Sequence, residues 1–193
     1  MHDIEPHHLW RDNYIASEDR RSPHFGRIYD EFTFSNRIYN YYIHPQWDEF
    51  GSATLYAKIL YVDYEERTAI IELIGEWNDC LSNDVLFLKQ NIADSLTREG
   101  ISKFVLIMDH VLNFHGSDDC YYEEWYEDIM DNEGYIYMLN LQEHVFREMQ
   151  KTGLDVYVRL DLSLQLPNWR AYSPKGLIGE IEAWSTPQVR RLF

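Results

Sequence analysis

The sequence is poor in basic residues and in cysteine. Lys and Arg number 17 against 33 Asp and Glu in 193 residues, so the formal net charge is -16. Binding to nucleic acid or to an anionic membrane depends on basic residues that meet phosphates, and we therefore expect neither partner. The two cysteines, Cys80 and Cys120, show no CxxC or Cys/His spacing, so we expect reduced thiols and no metal site.

Long apolar runs and glycine-rich loops are also missing. No stretch approaches the roughly 20 apolar residues of a membrane span, and residues 1–13 carry no apolar core of a secretory signal. We therefore expect a cytoplasmic location. The glycines stand singly, as turn and cap residues do, so no phosphate-binding loop is present. Without a specific catalytic motif, the sequence favours a protein that is not an enzyme and has no cofactor.

Apolar and aromatic residues are plentiful. Hydrophobic residues make up 45% of the chain and aromatic residues 16%, which argues for a folded body. The length suits one domain with extensions. We predict an N-terminal arm over residues 1–36, an α/β domain over 37–166 and a C-terminal extension over 167–193. The arm contains four histidines, His2, His7, His8 and His24. We expect these to be solvated loop residues and not metal ligands.

Short β-prone runs alternate with stretches of helical spacing between residues 68 and 166. The runs are Thr68 to Gly75, Lys103 to Met108, Tyr135 to Leu141 and Leu154 to Leu166. This order predicts an α/β fold with a mixed, mostly parallel sheet and flanking helices. A further run, Leu55 to Val62, ends five residues before Thr68, which predicts an antiparallel hairpin. The predicted order is therefore a β-hairpin followed by αβαβαβ, and a separate strand is predicted over residues 37–43.

Three helices are predicted between these strands. The first runs from Ser82 or Asn83, either of which can cap it, to a stop at Gly100. Its apolar residues recur at helical spacing, namely Val85, Leu88, Ile92 and Leu96. The second covers residues 118–131, with Tyr122, Trp125, Tyr126 and Ile129 on its inner face, and the third covers residues 142–152.

The last run alternates apolar and polar residues from Leu154 to Leu166 without a miss. Strict period 2 predicts one long strand with one buried face. Such a strand would extend beyond its neighbours, and a long unpaired edge needs cover. We expect the overhang to pair with the segment Leu177 to Trp184, with the arm or with another subunit.

The segment from Val105 to Asp119 resembles the strand-loop-helix of STAS domains, the family of anti-sigma-factor antagonists and of the cytosolic tails of sulfate transporters. Phe114 matches the apolar residue after the family's strand, and Ser117 falls on the first Ser of its Asp-Ser-Ser-Gly turn. The other three positions of that turn differ and are Gly116, Asp118 and Asp119. The resemblance covers about residues 54–161 as a similarity of topology. It implies a STAS-like fold, a protein partner and phosphorylation of Ser117 as a regulatory switch.

The candidate site is the surface around Ser117 and the helix that follows. Its residues are His115, Ser117, Asp118, Asp119, Tyr122 and Trp125. Taken without the resemblance, Ser117 fits the N-cap of that helix. We predict a non-enzymatic STAS-like regulatory module that binds a protein partner or self-associates as a homo-oligomer.

Two alternatives remain open from the sequence. One is an α/β domain that binds an apolar or aromatic small molecule between the tyrosine-rich helix and the sheet. The other is a hydrolase that uses Asp109, His110, His115 or Ser117, because open α/β sheets place ligands at the carboxyl ends of their strands.

Overall fold

A computed structural model describes residues 4–30, 32–163 and 165–185. A small hairpin, β1 (Arg37–Ile38) and β2 (Tyr41–Tyr42), precedes the main sheet. The main sheet contains β3 (Leu55–Asp63), β4 (Thr68–Asn78), β5 (Lys103–His115), β6 (Tyr135–Leu139) and β7 (Arg159–Leu160), in that spatial order. β3 is antiparallel to β4, and the other neighbours are parallel. The predicted mixed, mostly parallel sheet is confirmed.

Helices follow the strands as the alternation predicts. They are α1 (Asp79–Ser82), α2 (Asp84–Leu88), α3 (Asp94–Arg98), α4 (Cys120–Met130), α5 (Glu143–Lys151) and α6 (Pro174–Ser185). A π-helical turn over Lys89–Ala93 joins α2 to α3, so the predicted first helix is nearly continuous. Its four periodic apolar residues are all buried. Gly100 ends it in the left-handed region at φ +94°, which glycine adopts without strain.

The two faces of the main sheet are covered differently. The helix face packs against α2 to α5 and includes Ile71, Leu106 and Met138. The arm face is covered by residues of the arm and by the segment from Trp169 to Ile181. Its buried cluster contains Trp10, Ile70, Val105, Ile107, Trp169, Leu177 and Ile181. Edge strand β3 is buried along its apolar length, which protects its backbone from pairing with another chain.

The predicted long last strand is wrong. Gly153 takes φ +75°, Leu154–Val156 forms a 3₁₀ turn, and only the two residues of β7 pair with β6. Val156 is 70% exposed, so the alternation does not mark one buried face. Strand β6 is only five residues long, so a longer last strand would have no partner to pair with. This limit from the tertiary structure outweighs the local strand pattern. Leu164 lies outside the described residues.

Three other local predictions are corrected. The segment Leu177 to Trp184 is part of α6 and offers no strand for pairing. Residues 37–43 form the tight hairpin of β1 and β2, because Tyr39 takes φ +54° and reverses the chain. Asn83 makes no side-chain cap bond; the cap is Asn78, whose side chain accepts from the Leu81 N–H.

No helix of the described residues is long and apolar enough to span a membrane.

Candidate functional site

The residues around Ser117 form an exposed corner where β5 ends and α4 begins. We define the Ser117 corner as the loop of residues 116–119 with Cys80, Leu81, His115 and Cys120. α1 lies beside this loop, because the Cys80 thiol donates to the Gly116 carbonyl oxygen at 2.6 Å. Ser117 and His115 are exposed, and Leu81 is 88% exposed. The corner therefore presents a hydroxyl, an imidazole and an apolar side chain to solvent.

Gly116 lets the loop pass close to the rest of the domain. A Cβ at this position would lie 2.6 Å from Thr152 Cγ2 and 2.8 Å from the ring of Phe114. Both distances are shorter than a carbon–carbon contact allows, so a larger residue would push the loop outwards. The glycine thus holds Ser117 near the end of α5.

Ser117 does not cap α4, so that prediction is wrong. The helix begins at Cys120, and Asp119 occupies the N-cap position without a side-chain cap bond. Asp118 Oδ1 accepts from the Cys120 N–H at 3.4 Å and from its thiol at 2.8 Å, and these bonds lower the pKa of Asp118. The hydroxyl of Ser117 bonds to none of the described residues. It is free to meet a partner.

Tyr122 and Trp125 hold α4 against the helix face and do not reach solvent. Each is 1% exposed. The Tyr122 ring stacks on Trp77 with centroids 6.3 Å apart, and Trp125 meets Phe104 edge-on at 5.1 Å. These rings fill the space between the tyrosine-rich helix and the sheet. The aromatic small-molecule pocket proposed there from the sequence is therefore wrong.

A buried carboxylate links α4 to the helices before it. Asp79 accepts from Tyr122 Oη at 2.7 Å, from Trp77 Nε1 at 2.9 Å and from the Val85 N–H at 2.9 Å. Burial raises the pKa of Asp79 to about 6, although these three bonds lower it. Because one carboxylate ties β4, α2 and α4 together, the corner stands on a rigid base.

Asp109 and His110 lie far from the Ser117 corner. β5 continues to His115, so both residues lie inside the strand and not at its carboxyl end. At about 3.3 Å per residue, Asp109 is about 20 Å from His115 along the strand. Asp109 Oδ2 accepts from Trp169 Nε1 at 2.6 Å on the arm face. The four residues of the hydrolase alternative are not brought together.

A buried polar cluster centred on Glu72 was not predicted from the sequence. This residue is 0% exposed and lies within β4. Its Oε2 accepts from the His7 N–H at 2.9 Å, and its Oε1 pairs with Arg170. His110 Nε2 lies 3.9 Å from Oε1. The signal was an acid flanked on both sides by apolar residues of a buried strand, Ile70, Ile71, Leu73 and Ile74, because such an acid needs a buried partner.

Burial and partners act in opposite directions on Glu72. Burial raises its pKa to about 7, Arg170 and the His7 N–H lower it, and Asp109 raises it. Burial also lowers the pKa of His110. The geometry ties residue 7 and residue 170 to one carboxylate in the sheet, so the segments around these two residues are fixed to the arm face.

The arm histidines do not converge, and two of them are not solvated as expected. His7 packs between Trp10 and Trp169, with both ring centroids 5.0 Å away. His24 is 1% exposed, with Nδ1 3.2 Å from Asp48 Oδ2. His8 is exposed, and His2 lies outside the described residues. Within residues 4–30, 32–163 and 165–185, no three His, Cys, Asp or Glu side chains are grouped to hold a metal ion.

Comparisons with known proteins find likeness in fold. No protein-family model and no curated protein sequence matches the chain. The anti-sigma factor antagonist SpoIIAA in its unphosphorylated form is 14% identical with a TM-score of 0.47, over 66% of this chain and 96% of that one. The phosphorylated form of the Bacillus cell-fate determinant SpoIIAA is 13% identical with a TM-score of 0.43, over 65% of this chain and 98% of that one. A Thermotoga maritima protein assigned as an anti-sigma factor antagonist is 19% identical with a TM-score of 0.40, over 55% of this chain and 86% of that one.

Proposed function

We propose that this chain is a non-enzymatic regulatory module that binds a protein partner through the Ser117 corner. The observation that carries the proposal is the contact of α1, which bears exposed Leu81, with the loop that bears Ser117. Leu81 is 88% exposed and directly follows Cys80, whose thiol contacts Gly116. An exposed apolar side chain and a free hydroxyl on two segments in contact offer both kinds of contact that protein interfaces use. The phosphoacceptor role that the STAS resemblance implies for Ser117 remains a prediction.

The base beneath the corner favours binding. Tyr122, Trp125 and Asp79 fix α4 from below, and the Gly116 contact fixes the loop. A surface that is already ordered loses little conformational entropy when it binds. The fixed corner therefore supports an interaction role.

Charge favours a different protein over a second copy of this one. Asp118, Glu123 and Glu127 are exposed on or beside α4, and the whole chain carries -16. Two copies meeting at this corner would place like charges opposite each other, which costs several kcal/mol. A partner with basic side chains around an apolar pocket for Leu81 fits better.

The test compares two exposed leucines. The full chain, Leu81→Asp and Leu9→Asp are used as baits in extract of the source cells, and Leu9, 66% exposed, lies outside the corner. A protein recovered with the wild type and with Leu9→Asp, but not with Leu81→Asp, is then purified and titrated against each variant by calorimetry. We expect Leu81→Asp to weaken binding by at least about 30-fold, as loss of an anchor residue does.

Two results would contradict the proposal. One is a partner that binds the wild type and Leu81→Asp equally. The other is a wild-type chain that stays a monomer by light scattering and retains no protein. Circular dichroism of each variant checks that the fold is intact.

A further inference from the structure

A cleft of about 300 Å³ lies between residues 6–17 and edge strand β3. Arg11 and Lys58 line it, and none of its described lining residues is an Asp or a Glu. This composition is unusual in a chain with 33 acidic and 17 basic residues. The volume is at the lower end of small-molecule sites, which span about 300–1,000 Å³.

The charge at one end of this cleft is positive. Lys58 Nζ lies 3.2 Å from Asp48 Oδ2 and 3.7 Å from the centre of the Tyr29 ring. The same carboxylate also pairs with Arg27 at 2.8 Å, so one acid forms ion pairs with two cations. Burial lowers the pKa of Lys58, Asp48 raises it, and Arg11 and Arg27 lower it.

Arg11 adds to this excess of positive charge. Its Nη2 lies 3.4 Å from Glu5 Oε1, in a pair that is partly exposed. A partly exposed pair is screened by water and holds its members weakly. Two acids, Glu5 and Asp48, thus pair with three cations, and the guanidinium of Arg11 can turn towards an anion.

Aliphatic side chains also line the cleft, beside the polar residues Ser17 and Gln46. The aliphatic side chains include Ile15, Ile59 and Leu60. The register of β3 against β4 shifts between Ile59 and Tyr61, so Leu60 is an extra residue in the strand. Such a bulge redirects side chains, and bulges are common beside binding sites. An anionic group held by the cations would therefore leave the rest of its molecule against aliphatic side chains.

The His7 ring nitrogen Nε2 is buried beside the cleft and is not open to it. The residue is 8% exposed and lines the cleft, and its Nε2 has no hydrogen-bond partner among the described residues. Burial lowers the pKa of His7 to about 4, so the imidazole is neutral and can donate one hydrogen bond. A buried nitrogen without a partner is costly in a folded protein, whether it donates or accepts.

We propose that this cleft binds a small organic anion, an apolar body with one carboxylate or phosphate group that is held by Lys58 and Arg11. The site lies on a different part of the chain from the Ser117 corner and is independent of the proposed protein partner. Residues of the arm form one wall, so a bound anion would also stabilise the arm against β3.

The test is a calorimetric titration of the full chain with four probes. Benzoate and phenyl phosphate carry the two anionic groups, benzamide is the neutral counterpart of benzoate, and benzylamine carries a positive charge. We expect saturable binding of at least one anion, and the tighter of the two identifies the group. Arg11→Gln should weaken that binding about tenfold, the effect of losing one charged contact of about 1.4 kcal/mol.

The variants separate binding from folding. Lys58→Met should weaken binding as Arg11→Gln does, but it leaves buried Asp48 with one cation fewer, so its melting temperature is measured alongside. Arg11 is partly exposed, and its variant should fold normally. Arg147→Gln is the control, because Arg147 lies in α5 and pairs with Glu143. The proposal is overturned if neither anion saturates, if benzamide or benzylamine binds as tightly, or if Arg11→Gln binds like Arg147→Gln.

Discussion

Replacing Glu72 by Gln should change how the stability of the protein depends on pH. Burial raises the pKa of Glu72 from 4.5 to about 7 in the folded state, against the pull of Arg170. The folded state then binds this proton more tightly than the unfolded state does. Its contribution to stability is complete below about pH 4.5 and is lost as the pH rises through about 7. A shift of 2.5 pKa units at about 1.4 kcal/mol per unit amounts to about 3 kcal/mol.

Gln cannot titrate, so the variant lacks this decline. Relative to the wild type, Glu72→Gln should gain about 3 kcal/mol between pH 4.5 and pH 8, measured by urea unfolding at half-unit intervals. The attraction of Arg170 for the ionised carboxylate is already contained in the pKa of about 7, so it adds no separate contribution to this gain. Burial lowers the pKa of both His7 and His110. A flat difference, or one that falls with pH, would show that Arg170 outweighs burial and would refute the reasoning.

Three further substitutions test the packing by urea unfolding at one pH. Gly75→Ala should cost more than about 2 kcal/mol, because φ is +123° and a Cβ would lie 2.0 Å from the Thr54 carbonyl oxygen. Tyr122→Phe removes a donor to buried Asp79 and should cost about 1–3 kcal/mol. Leu88→Ala at a fully buried position of α2 should cost about 2–5 kcal/mol. Wild-type stability in any of these variants would contradict the corresponding contact.

The sequence predicts helices and strands well where the spacing of the apolar residues agrees with their burial in the fold. Val85, Leu88, Ile92 and Leu96 follow helical spacing, and all four face the core. The five residues between Val62 and Thr68 predict the antiparallel hairpin of β3 and β4. The pairing of Asp63 with Thr68 confirms it. In these segments local propensity and tertiary packing favour the same structure.

The failures arise where packing against distant residues decides. The alternation from Leu154 to Leu166 is typical of a strand, but short β6 offers too few partners. The chain turns instead, and Asn140 pairs with both the N–H and the carbonyl of Leu166. No local pattern predicts the length of a neighbouring strand.

The candidate site was predicted in part. The strand-loop-helix around Ser117 is present, and the exposure of Ser117 and His115 could be inferred from the polar loop. The roles of Tyr122 and Trp125 could not, because whether an aromatic side chain fills a core or lines a pocket depends on the space opposite it. Lys58 and Arg11 lie 47 positions apart in the chain, and spacing gives no sign that the fold brings them to one cleft.

The attachment of His7 and Arg170 to Glu72 has a consequence during synthesis. Arg170 is made about 100 residues after Glu72, which at roughly 5–20 residues per second is a delay of about 5–20 s on the ribosome. His7 is already available then, but the carboxylate has no arginine to pair with. We expect the helix face to assemble on the nascent chain and the arm face to close only when the last segment emerges. Until that moment the apolar residues of the arm face are open to a chaperone.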